Sequence, residues 1–148
     1  MRRSAWFLVF MLITAACLDE PDCFHLNNDL VGISFKKLSD SKADTVYLSR
    51  AGTEAPSLVF YADTVLSRVT FPLNYFENET TFLFEDTSLI VRRLRIGYTS
   101  QAQFVSENCG EKFVLTHLRV LEHSFDSVRL LRDAPSSEPG VIHIEIYQ

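Results

Sequence analysis

The side chains able to do chemistry here are few. Four histidines stand at His25, His117, His123 and His143. His143 and Glu145, two apart in an alternating segment, share one face of a strand and so set an imidazole near a carboxylate, a pairing used in general acid–base work. The polar face of an amphipathic strand has the same spacing, and that is the reading adopted. There is no His-Glu-x-x-His and no spaced set of Cys and His, so no metal site is expected. The serines lack a Gly-x-Ser-x-Gly elbow. No catalytic residue and no cofactor is assigned, and the chain reads as a non-enzyme. Arg92, Arg93 and Arg95 form a candidate patch for an anion or acidic partner, since Arg93 and Arg95 share a strand face and Arg forks suit carboxylates; a solvated outer face is the reading adopted.

The cysteines are more informative. Arg2 and Arg3 precede an uncharged apolar run from Ala5 to Ala16, directly before Cys17. That is the pattern of a secretion signal, and the run is shorter than the roughly 18 to 20 residues a membrane span requires. Residues 13–17 resemble a bacterial lipobox, with Thr14 where the commonest form has Leu. The resemblance implies cleavage before Cys17 and acylation of that residue, and two or more acyl chains anchor stably at about 0.8 kcal/mol per buried methylene. The expected address is the bacterial cell envelope, lipid-anchored, at the outer membrane. The acidic stretch that follows, with Asp19, Glu20 and Asp22, resembles surface-export signals and also suits a solvated tether. With Cys17 assigned to lipid, Cys23 and Cys109 remain as an even pair in an oxidising compartment. Their bridge would stabilise by about 4 to 5 kcal/mol on chain entropy; two reduced thiols are the alternative.

These residues must be positioned by strands. The full chain has 148 residues and a net charge of −5, and loss of the leader makes it more acidic. Nucleic acid is excluded as a partner, since phosphate neutralisation supplies most affinity there. The chain divides into a leader (1–16), an acidic tether (17–29) and one domain (30–148). Period-two runs fall near 30–35, 45–49, 57–61, 64–72, 81–85, 88–104, 113–121, 125–131 and 141–147, with no helical stripe. In the longest, Ile90, Leu94, Ile96, Tyr98 and Phe104 share a parity and are expected to face a core. The fold expected is an all-β, antiparallel, immunoglobulin-like sandwich of about seven or eight strands, with a small barrel as alternative. Phe71, Phe82 and Phe84 read as core, and Tyr75 and Phe76 as a cap at one end and a candidate stacking platform for sugars.

Cys17, Cys23, Tyr98, the Phe104 to Ser106 run into Cys109 and Gly110, Phe113, and the ending His143 to Tyr147 together resemble a family of small uncharacterised Bacteroidetes lipoproteins. That resemblance implies the anchor, the cysteine pairing and the β fold, and it brings no activity. The expected role is a lipid-anchored accessory module that binds an envelope protein, with cell-surface glycan binding through Tyr75 and Phe76 as the alternative.

Overall fold

A computed structural model describes residues 28–107 and 109–148. Nine strands are formed: β1 (Leu30–Lys36), β2 (Val46–Thr53), β3 (Leu58–Leu66), β4 (Arg68–Pro72), β5 (Glu79–Glu85), β6 (Val91–Ser106), β7 (Gly110–His123), β8 (Ser127–Leu130) and β9 (Ile142–Tyr147). They make a four-stranded sheet in the order β4-β1-β9-β8 and a five-stranded sheet in the order β3-β2-β5-β6-β7. Among the described residues there is no helix, and the all-β sandwich expected from alternation is the fold.

The alternation works as physics predicts, since residues of one parity on a strand face the same way. Phe82 and Phe84 on β5, Leu94, Ile96 and Tyr98 on β6, and Ile144 and Ile146 on β9 are all buried. Phe71 sits at the centre of the aromatic part of the core. Its ring stacks on Phe82 with centroids 4.6 Å apart and meets Phe60, Tyr61 and Phe84 edge-on at 5.7, 5.6 and 5.8 Å. Offset-stacked and edge-on arrangements suit the ring quadrupoles and add to the area buried.

Several expectations are corrected. There are nine strands rather than seven or eight, and the sandwich is not wholly antiparallel because β1 runs parallel to β9. The third strand extends to Leu66 and the fourth starts only at Arg68. Ile90 and Phe104 share the core parity of β6 yet are exposed. Ile90 falls in the turn before β6, and Phe104 lies beyond the region that β5 covers, because β5 pairs with β6 only from Val91 to Gly97. Past that rung, β6 and β7 continue as a two-stranded hairpin that overhangs the sandwich.

The sheet edges are closed with unusual care, as bare strand edges are templates for aggregation. The Tyr61 hydroxyl donates to the Thr70 carbonyl at 3.0 Å and accepts from the Thr70 amide at 2.9 Å, covering edge strand β4. On β7 the Asn28 amide donates to the Leu115 carbonyl and accepts from the Leu115 amide, at 2.8 and 2.9 Å, and the Leu118 amide donates to the Asp133 carbonyl at 2.7 Å. Strand β3 carries a bulge opposite Ala51 and Gly52 and a left-handed residue at Asp63 (φ 47°), which disrupt its outer edge. β8 is only four residues long.

Truncating the central ring tests this account of the core. Phe71→Ala is expected to lower unfolding stability by about 3 to 5 kcal/mol, the usual range for a buried Phe removed from a packed site, read as a fall in the urea midpoint at unchanged slope.

A candidate functional site: an aromatic cluster beside an apolar cleft

The loop from Leu73 to Asn78, between β4 and β5, carries both aromatic residues singled out in the sequence. It is short and polar enough to be mobile by composition, yet it is pinned along its whole length. The Leu73 amide donates to the Asp29 carbonyl at 2.7 Å, and the Tyr98 amide to the Asn78 carbonyl at 2.8 Å. The Tyr98 hydroxyl, buried under the loop, donates to the Asn74 carbonyl at 2.8 Å and shares a hydrogen bond of 2.8 Å with Thr80 Oγ1. Ser100 Oγ donates to the Tyr75 carbonyl at 2.6 Å. Asn74 Oδ1 accepts from the Phe76 amide at 3.1 Å, a side chain closing its own turn.

This scaffold places three rings together. Tyr75 stacks on Phe113 of β7 with centroids 4.8 Å apart and planes 24° apart, and Phe76 packs on both, at 4.5 Å from Tyr75 and 5.5 Å from Phe113. Tyr75 is half-buried, whereas Phe76 is 73% exposed. Beside them opens a cleft of about 290 Å³ whose apolar lining includes Pro56, Leu58, Phe60, Pro72, Tyr75 and Phe76. Its lining is mostly apolar, and its size falls at the low end of small-ligand pockets. Of its polar side chains, Thr53 Oγ1 donates to the Pro56 carbonyl at 2.6 Å, Thr80 bonds Tyr98, and Asn74 Oδ1 closes its own turn, while Asp29 also lines the cleft.

Sequence reading found Tyr75 and Phe76 but missed the residues that complete the site. Phe113 comes from β7, and Leu58 and Phe60 from β3. Only the core parity of Phe113 along β7 hinted at it, and nothing local in Leu58 or Phe60 pointed to a shared cleft.

His143 and Glu145 do not project from an open polar face, which corrects the earlier expectation. His143 is 1% exposed. The register slips where β1 meets β9, with Gly32 opposite Ile142 and Ile33 opposite Ile144, so His143 is the unpaired residue of a bulge. Its Nδ1 accepts the Gly32 amide at 3.0 Å, replacing the ladder acceptor that the bulge removes. The segment leading to Ser136 lies over it and bridges back to Leu30. Glu145 instead pairs with Lys36 at 3.6 Å and accepts from the Tyr147 hydroxyl at 3.0 Å. The two side chains serve different neighbours and form no dyad.

Arg93 and Arg95 lie on the outer face of the five-stranded sheet, where Glu54 pairs with the first at 3.5 Å and Glu79 with the second at 2.8 Å. These cross-strand pairs neutralise the face and leave no anion-binding patch. Arg92 reaches the other way, over the Phe125 ring at 5.7 Å and to Gln148 Oε1 at 3.2 Å. Among the described residues no three His, Cys, Asp or Glu side chains stand close enough to hold a metal ion.

Cys109 ends the turn before β7, its amide donating to Ser106 Oγ at 3.1 Å, and it has a further partner. Cys17, Cys23 and His25, with the leader and the tether up to residue 27, lie outside the described residues.

Fold and site together define an all-β sandwich with an apolar cleft at one end. The model of a family of unknown function, DUF6452, matches residues 45–148, and the chain belongs to that family. No curated protein and no solved structure matches it.

The buried imidazole sets a pH dependence. Burial pushes the pKa of His143 below the ordinary 6.5, against the smaller opposing pull of the Val141 and Ala134 carbonyls. The unfolded chain therefore binds the proton more readily. Stability is full above pH 6.5 and falls as the pH drops from there toward the depressed folded value. Urea midpoints measured from about pH 8 to about pH 5, spanning the imidazole range, are expected to fall for the native chain. The fall should be smaller for His143→Gln, which keeps an acceptor but does not titrate.

Proposed function

We propose that this protein is a lipid-anchored, non-enzymatic module of the bacterial envelope that binds a protein partner through the cleft beside Phe76. One observation carries the binding reading: a large aromatic side chain held on a rigid, multiply bonded loop is left in solvent. Phe76 adds nothing to the core, and exposed aromatics fixed beside an apolar concavity are the usual anchors of protein recognition. A protein segment suits the lining better than a sugar. Sugars require several uncommitted hydrogen-bonding groups around a stacking ring, and here the Thr53 and Thr80 hydroxyls are engaged internally while one face of Tyr75 is taken by Phe113. The glycan alternative thus rests on Phe76 with the side chains of Asp29 and Asn74.

Anchoring rests on the leader and on Cys17, and the Cys23 to Cys109 bridge on the cysteine count. Geometry supports that bridge. Asn28 is fixed beside Leu115; Cys109 lies along β7 from there, and Cys23 lies back along the chain from Asn28. Each stretch has a reach of about 17 to 20 Å, so the two sulfurs are within range of each other.

Two measurements test this reading. In-cell crosslinking of the native chain followed by mass spectrometry should capture a reproducible envelope protein, and Phe76→Ala should lose it while changing stability by no more than about 0.5 kcal/mol, as at other exposed sites. Capture unaffected by Phe76→Ala removes the cleft as the binding site, and glycan-array binding lost in Tyr75→Ala would replace a protein by a sugar. Intact mass of membrane-extracted protein should begin at an acylated Cys17, with two further alkylations only after reduction; an unlipidated mass, or alkylation without reduction, refutes anchor or bridge respectively.

A further inference from the structure

The overhanging hairpin keeps the core-facing pattern after the core has ended. Across its rungs Ser100 faces Leu115, Ala102 faces Phe113 and Phe104 faces Glu111, and directly opposed residues share a face. Along that face Leu115 is buried in the core, Phe113 is half-covered by Tyr75 and Phe76, and Phe104 is 70% exposed. We infer that the hairpin tip, with Phe104 as its apolar contact, rests on the surface of the bilayer that holds the Cys17 lipid. The inference rests on the anchor reading above.

What identifies the occupant is where the chain outside the described residues ends. It ends at Asn28, and Asn28 is pinned to Leu115, within the same hairpin that carries Phe104. The opposite end of the sandwich, where Ile90 stands beside the rung pairing Glu85 with Val91, is the far end of β6. From Cys17 to Asn28 the chain spans at most about 40 Å even fully extended, and from Cys17 to Cys23 about 20 Å. The anchor therefore holds the hairpin end toward the membrane. A single phenylalanine is a small apolar contact. That would not bind a free protein to a bilayer, but it suffices to orient one already confined there, because the anchor has removed most of the cost of association. Glu107 and Glu111 flank the tip and keep the contact at the headgroup boundary rather than in the hydrocarbon.

The sequence supplies a clean probe, since its one tryptophan, Trp6, precedes Cys17 and leaves with the leader. Full-length Phe104→Trp and Ile90→Trp proteins, processed in a bacterial host, would be reconstituted into phosphatidylcholine vesicles containing doxyl-labelled lipid. The mass of each sample is checked first. The tryptophan of Phe104→Trp is expected to shift to shorter wavelength and lose emission to the doxyl lipid, while that of Ile90→Trp stays unquenched. Quenching at the Ile90 position alone means the domain is inverted, and no quenching at either means the tip stands off the membrane; both overturn the inference while leaving the anchor in place. A blue shift in Phe104→Trp without lipid quenching assigns the tip to a second copy or a protein partner, and also overturns it. A sample whose mass lacks lipid overturns the anchor reading itself.

Discussion

The sandwich depends on the pairing of its first strand with its last. Without the parallel contact between β1 and β9, the four-stranded sheet would separate into the β1–β4 pair and the β8–β9 hairpin, and the five-stranded sheet would lose the layer against which Phe82, Leu94 and Ile96 are buried. That contact is sterically narrow. A side chain at Gly32 would run its Cβ into the backbone carbonyl of Val141, so only glycine admits the approach. The same crowding forces the register to slip by one residue, and the bulge strands one amide. His143 repairs the loss with its own ring, its Nδ1 accepting the Gly32 amide, while its Nε2 is buried without a hydrogen-bond partner. A strand pair joining residues so distant in sequence must also close after most local hairpins have formed, because its loop entropy is the largest in the fold.

From this closure follows the shape of the end that carries the cleft. The two sheets differ in length: β6 spans 16 residues and β7 spans 14, while the strands facing them have four to seven. The longer pair must therefore extend past its cover. Its inner face emerges from the core in steps, first capped by the β4–β5 loop and then bare. Tyr75 and Phe76 are the cap, held by bonds from Tyr98 and Ser100 of the very strand they shield. The cleft is the gap left where this cap meets the start of β3. Core packing and candidate site are thus one continuous surface, differing only in how much opposing sheet is available.

The parts of this arrangement that were legible in sequence are those governed by period two over short distances. Ile144 and Ile146 declared a core face, and Phe82 and Phe84 another; Ile142, of the same parity, lies before the bulge at His143 and is outside the core. Alternation reports only which residues share a face, not what covers that face. It assigned His143 to solvent because nothing local announces that residues before Ser136 fold across β9, and it assigned Phe104 to the core because nothing local says where β5 stops. The parallel direction of β1 and β9 was equally hidden: an apolar strand reads the same whichever way its neighbour runs. The bulge at Phe60 is a further case, since it turns Phe60 and Tyr61 toward Phe71 together, where strict alternation would have sent them apart.

The cleft's small volume limits what it can do alone. A space of about 290 Å³ accommodates one or two apolar side chains, and each fully buried one contributes about 1.5 to 3 kcal/mol. After the entropy of association is subtracted, such a contact between freely diffusing proteins is weak. On the anchored reading the balance changes, because two proteins held to one membrane meet at an effective concentration far above that of the same pair in bulk. A rigid loop matters more in that setting than a large interface, since a preformed Phe76 loses little freedom on docking. On that reading, weak contact chemistry and a permanent anchor would be complementary: the first would give selectivity with rapid release, and the second occupancy.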